Sequence, residues 1–265
     1  MIASVRDRER TRLEINTYSR SLMLSTRVAE LCATEATPKQ EAFLHRVLSE
    51  EIARRDRNRK TRLLNRAGFP VLKSFTDYEF SGIRFPPALT REELLSCRFI
   101  AEKKNLVLYG GVGTGKTHMS IALGVMACEM SLKVRFYTVT ELVLKLSDAY
   151  RTGTLERLVR DLKQLDLLIL DEWGYVPIDR EGSQLLFRVI ADSYESKSLI
   201  LTTNLEFSKW GGVFTDEQMA AAMIDRLVHH GHLLMFESKS YRMTHALMRH
   251  TAVTDTASEE ANTSK

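Results

Sequence analysis

The residues in this 265-residue chain best suited to chemistry form one glycine-rich run. It consists of Gly110, Gly111, Val112, Gly113, Thr114, Gly115, Lys116 and Thr117, with His118 next to it. The spacing is G-x-x-x-x-G-K-[ST], the form of a phosphate cradle in which backbone N–H groups close around phosphate oxygens without side-chain clashes. Apolar residues ahead of the run read as a strand and those after it as a helix, whose positive dipole end would add to the field. Lys116 is expected to reach the β- and γ-phosphates of ATP, and the Thr117 hydroxyl to ligate Mg²⁺. A purely structural glycine turn has no use for the Lys-Thr pair.

Two further strand ends carry polar chemistry. Leu167, Leu168, Ile169 and Leu170 lead into Asp171 and Glu172. Asp171 is expected at the C-terminal end of a central strand, where open α/β sheets bind ligands, and would hold Mg²⁺ directly or through water. Glu172 could then polarise an attacking water, which separates a hydrolase from a phosphate binder. Acidic residues at strand ends are common; position about 50 residues after a complete cradle, with one strand between, gives this pair its weight. A third apolar run, 199–203, ends at Asn204, expected to orient water near the γ-phosphate. Asn at a strand end is also an ordinary turn former.

These residues need a sheet to hold them. From position 105 onward, short Leu-, Val- and Ile-rich runs at 106–109, 134–139, 167–170 and 199–203 read as buried strands. Helical patterns at 117–130, 141–150, 155–164 and 184–193 lie between them, so the alternation predicts an α/β fold, a parallel sheet flanked by helices. Thr90 with Glu93 has the form of a capping box opening a helix through about Ala101, and Thr215 with Gln218 is a second, opening a helix that carries Arg226. Residues 1–66 read as a small all-α N-terminal domain with Pro38 at a helix start. Gly68, Pro70, Gly82, Pro86 and Pro87 mark 67–88 as a linker; 89–249 follows as the nucleotide-binding domain, and the low-complexity Thr, Ala, Ser and Glu of 250–265 read as a disordered tail.

Charge is uneven. The chain carries a net +4, but residues 1–66 hold 15 Lys and Arg against 9 Asp and Glu, a net +6. Arg54, Arg55, Arg57, Arg59, Lys60, Arg62 and Arg66 form the densest stretch. Such a run reads as a polyanion-binding surface or as a solvated helix face. No run approaches the ~20 apolar residues of a membrane span, and the charged N-terminus lacks a signal-peptide core. Cys32, Cys97 and Cys128 have neither pairing nor metal spacing, which points to a reducing cytoplasm. His229, His230 and His232 are poorly placed for a metal, because no Cys joins them and two are adjacent.

The order of cradle, intervening strand, acidic strand and Asn strand resembles the AAA+ ATPases. Asp171-Glu-Trp-Gly-Tyr175, Leu201-Thr-Thr-Asn204, Asp225-Arg-Leu227 and Ser240-Tyr-Arg242 are more closely similar to the IstB-like transposition helpers and their relatives, the DnaC-type helicase loaders. The basic run, Ala67-Gly-Phe-Pro70 and Phe75-Thr-Asp-Tyr-Glu-Phe80 share the resemblance, which covers roughly 40–249. It implies that Arg226 is an arginine finger reaching a neighbouring subunit's ATP, and that Arg242 is a second sensor touching its own. Either arginine alone would read as a surface ion pair. It also marks 140–165 as a paired-helix insertion in which Lys145, Arg151 and Arg157 could face DNA, although interleaved acids suit a solvated helix pair equally. Residues 75–80 are candidates for the adenine contact. The function implied is an ATPase that oligomerises as a ring or spiral on duplex DNA and assists a cognate transposase. A helicase loader acting on single-stranded DNA is the alternative. A small-molecule kinase would give Glu172, Asn204 and Arg226 no required place, and a nucleotide-gated scaffold would not need Glu172 for turnover.

Overall fold

The computed structural model describes residues 5–175, 178–214 and 216–238. The chain divides into two units, Met1–Arg62 and Leu63–Lys265.

The first unit is helical: α1 (Val5–Ser21), α2 (Thr26–Glu35) and α3 (Pro38–Ala67), whose last five residues belong to the second unit. Pro38 opens α3, where its fixed φ fits a helix start and its missing N–H costs no hydrogen bond. Ser25 caps α2 by accepting from the Arg27 N–H. Ile15, Leu22, Cys32 and Leu48 form a small core with Tyr18, Leu44 and Ile52 against it. Beside that core lies Glu41, 1% exposed, its carboxylate gripped by Arg8 at 2.8 and 2.9 Å and by Arg12 at 2.7 Å.

The second unit is built on a six-stranded sheet. Its strands are β1 (Ile83–Arg84), β2 (Asn105–Gly110), β3 (Val134–Thr138), β4 (Leu167–Trp173), β5 (Ser198–Thr203) and β6 (Gly231–Phe236), in the order β1-β6-β2-β5-β4-β3. All pairs are parallel except β1 with β6. Alternate residues feed opposite cores, because strand side chains point to opposite faces. Leu106, Leu108, Leu167 and Ile169 join one, together with α4 (Arg91–Leu95), α5 (Arg98–Ala101) and α6 (Lys116–Glu129). Val107, Leu168, Leu170 and Leu201 join the other, with α7 (Val139–Arg151), α8 (Leu155–Lys163), α9 (Arg180–Ser193) and α10 (Glu217–His229). Both sheet faces are therefore covered, as continuous apolar strands require.

The structure departs from expectation at four places. The helix expected from Thr90 through Ala101 is two pieces: Thr90 and Glu93 do form a capping box, but Cys97 takes a left-handed φ of 54° and breaks it. The stretch 67–88, expected as a linker, is packed, with Phe69, Phe75, Tyr78, Phe80, Ile83 and Phe85 against the α6 side of the core. It also supplies β1, which pairs with β6, a strand the sequence reading did not include. The α10 cap is Asp216, which accepts from Gln218 and Met219 N–H groups; Thr215 lies outside the described residues.

Candidate nucleotide-binding site

β2 delivers Gly110 at its C-terminal end and α6 begins six residues later at Lys116. Between them Gly113 and Gly115 have φ of 80° and 97°, conformations that L side chains rarely adopt, so glycine is required for the loop to turn. Val112 stands exposed at the tip, and Thr114 Oγ1 closes the loop by donating to Gly111 O at 2.9 Å. The Lys116 ammonium lies over the loop, donating to Gly110 O at 2.8 Å and Gly111 O at 2.6 Å. The packed stretch before β2 straps the loop from outside. Tyr78 Oη donates to Gly115 O at 3.2 Å, and His118 Nε2 meets Ser74 O at 2.7 Å. The Tyr78 and His118 rings are 4.9 Å apart, and burial pushes the Tyr78 phenol well up, so it remains a donor.

Across from the loop, Thr117 Oγ1 lies 3.0 and 3.1 Å from the two Asp171 carboxylate oxygens. Asp171 is 4% exposed and also accepts from Thr202 Oγ1. The β4–β5 register shifts here: Leu170 pairs with Leu201 and Trp173 with Thr203, so Asp171 and Glu172 together oppose the single residue Thr202. This is a β-bulge, and Glu172 within it has a φ of 63° and an exposed side chain. The Glu172 N–H goes to Thr202 Oγ1 at 3.0 Å, and Thr203 Oγ1 donates to Trp173 O at 2.9 Å. Trp173 is fully buried against Trp210 and Phe214, with ring centroids 4.9 and 5.0 Å away.

The site thus brings Lys116, Thr117 and Asp171 together, with Glu172 inside β4 next to its last residue and the exposed Asn204 directly after the adjacent β5. A hydroxyl and a carboxylate converging within 3.1 Å make an oxygen donor set that suits a hard divalent cation, so Thr117 and Asp171 could hold Mg²⁺. Thr202 and Thr203 were not singled out from sequence. In sequence they stand only inside the Leu201-Thr-Thr-Asn204 motif, as a polar pair closing a buried strand, with no role of their own.

The Arg226 guanidinium donates to Ala222 O at 3.1 Å and sits 5.1 Å from the Phe187 ring centroid. Its carbonyl lies 3.5 Å from Asn105 Nδ2, at the N-terminal end of β2, and its helix packs on the sheet face opposite α6. Arg242 and the tail 250–265 lie outside the described residues. On α3, Arg55 pairs with Glu51 and Lys60 with Asp56, while Arg54, Arg57 and Arg62 are exposed. Arg55, Arg59 and Arg62 border an open cavity of about 790 Å³ floored by Leu22 and Ile52. In the α7–α8 pair, Lys145 lies over the Tyr137 ring, Arg151 is 3.9 Å from Asp148, and Arg157 is exposed. The His229 and His230 rings stack, and His230 faces Glu195 at 3.3 Å. No described helix is long and apolar enough to cross a membrane.

A parallel sheet with a phosphate loop after one strand, an acidic pair on the next but one, and an Asn strand between them defines a P-loop ATPase of the AAA+ class. The chain belongs to the IstB-like ATP-binding protein family, whose profile matches residues 20–248. It is 37% identical over 204 residues to the ATP-binding protein described for insertion sequence IS21 of Pseudomonas aeruginosa, covering 76% of each chain. It is 34% identical over 216 residues to the corresponding protein of insertion sequence IS5376 of Geobacillus stearothermophilus, covering 82% of this chain and 86% of that one. The crystal structure of DnaI shares the fold, with a TM-score of 0.51 and 17% identity over 68% of this chain and 93% of the other.

Proposed function

We propose that this chain assembles with ATP at its subunit interfaces on duplex DNA and assists a transposase in choosing or preparing its target. The insertion-sequence context of its relatives supports the transposase as partner. The observation that carries the oligomer is the place of Arg226. Its backbone meets the first residue of β2, whereas the phosphate loop begins at the last, five residues on. At ~3.3 Å per residue that is roughly 16 Å, with the sheet also intervening. A guanidinium so placed serves the nucleotide of a neighbouring subunit rather than its own.

In the assembled site the loop N–H groups, the α6 N-terminus and Lys116 hold the triphosphate. Glu172 accepts a proton from the attacking water, Asn204 orients that water, and Arg242 contacts phosphate from its own subunit. Arg226 from the neighbour neutralises charge on the transferred phosphoryl group, giving ADP and phosphate. Mg²⁺ held by Thr117 and Asp171 would screen the phosphate oxygens. Hydrolysis then loosens the interface and resets the assembly. Arg54, Arg57, Arg62 and the other basic residues of α3, with Lys145, Arg151 and Arg157, supply phosphate contacts that hold DNA without reading its sequence.

The test is sizing and electron microscopy of the full chain with ATP on matched duplex and single-stranded DNA, across a salt series. ATP-dependent oligomers on duplex, weakening steeply with salt, are expected. Preference for single strands would replace the transposition reading with helicase loading, and a nucleotide-bound monomer indifferent to DNA would remove both.

A further inference from the structure

In a flat strand, consecutive side chains point to opposite faces of the sheet. Asp171 and Glu172 are consecutive, yet hydrolysis requires both carboxylates at one end of the same site. The bulge in β4 resolves this by placing two residues opposite one and turning the Glu172 backbone to a φ of 63°. A non-glycine residue in that region is strained by about 1–2 kcal/mol, so something local must hold it. The residue opposite the bulge is Thr202, 2% exposed, and its single hydroxyl makes both required bonds. It donates to Asp171 Oδ1 and accepts the Glu172 N–H that the bulge has removed from the β4–β5 ladder.

We propose that Thr202 is a positioning residue for ATP hydrolysis, its hydroxyl locking the Asp171–Glu172 bulge so that both carboxylates serve one nucleotide. It touches no substrate and acts through its two acidic neighbours. Thr117 approaches Asp171 from the phosphate loop, so Asp171 is held between one hydroxyl that the nucleotide site uses and one that the sheet supplies. The proposal rests on the reading of Glu172 as the group that activates water.

The experiment compares Thr202→Val, which keeps the shape and removes both hydrogen bonds, with Thr202→Ser, which keeps the hydroxyl. ATP affinity, steady-state hydrolysis and its Mg²⁺ dependence are measured on the full chain with duplex DNA. A misplaced catalytic group costs up to about 100-fold. Thr202→Val is therefore expected to lower kcat by about 10–100-fold, to change KM for ATP far less, and to raise the Mg²⁺ concentration giving half-maximal rate. Thr202→Ser recovers most of the rate. Should Thr202→Val not fold, Thr202→Ala read against Thr202→Ser decides the same point. Equal losses in Thr202→Ser and Thr202→Val would assign the effect to the methyl group and overturn the proposal. Glu172→Gln run in parallel separates the two readings. If it is inactive while Thr202→Val turns over normally, the positioning role fails alone; if Glu172→Gln turns over normally, the role of Glu172 fails.

Discussion

Lys116 shows what one side chain contributes at the residue scale. Its ammonium spans the carbonyls of Gly110 and Gly111, so it lies over the loop that closes on phosphate. A charge-assisted hydrogen bond contributes about 1.5–3 kcal/mol, so Lys116→Ala should weaken ATP binding by roughly 10–100-fold. Titration with a fluorescent ATP analogue checks this; unchanged affinity would remove Lys116 from the phosphate site. The convergence of Lys116, Thr117 and Asp171 was legible in the sequence because a phosphate-cradle spacing and an acidic strand end set their types and positions. Thr202 stood in the Leu201-Thr-Thr-Asn204 motif without a role, because its place opposite the bulge depends on a register shift between two strands, and no one-dimensional spacing encodes register. Tyr78 was named only within the 75–80 stretch, as part of the resemblance and as an adenine-contact candidate. Its bond to Gly115 O joins residues 37 apart, a contact that only folding reveals.

Elements show the same division between local and distant signals. The apolar runs of β2, β3, β4 and β5 stand out because strands buried on both faces are continuously hydrophobic. β6 carries Gly231 and His232 at its start and directly follows a helix ending in histidines, so its pattern is blurred; β1 is two residues long. In the first unit the helical reading of 1–66 gave no hint of its polar anchor. Glu41 joins the start of α3 to Arg8 and Arg12 of α1, and the Arg8 hydrogen bonds hold its carboxyl below the usual 4.5. A carboxyl depressed in the folded state stabilises fully above its unfolded value and loses that contribution as pH falls through the folded one. Glu41→Gln should therefore destabilise the first unit by about 1–3 kcal/mol at pH 7. The difference from wild type should shrink below pH 4.5. Thermal melts followed by circular dichroism between neutral and acidic pH read this, and a gap independent of pH would show that the contacts of Glu41 are not ionic.

At the scale of the whole molecule, the decisive question is whether one chain can complete its own site. The phosphate loop, Thr117 and Asp171 lie at the C-terminal end of the strands, while the backbone of Arg226 meets Asn105 at the opposite end of β2. Its guanidinium rests against Phe187 of its own chain. An arginine acting on a neighbour's ATP makes two kinds of inactive subunit complementary. Arg226→Ala keeps a complete set of nucleotide-holding and water-activating groups but offers no finger. Glu172→Gln offers a finger but cannot activate water. Each alone should bind ATP and turn it over far more slowly, Arg226→Ala by at least about 10³-fold, the scale of such fingers where measured. Mixed in equal amounts on duplex DNA, they should recover a substantial fraction of wild-type hydrolysis, because an Arg226→Ala site next to a Glu172→Gln subunit is complete. Co-assembly is checked separately by labelling each variant and following energy transfer between them. Rescue with co-assembly places Arg226 in the neighbour's site; co-assembly without rescue returns it to a structural role over Phe187, and the oligomer would then need another cause.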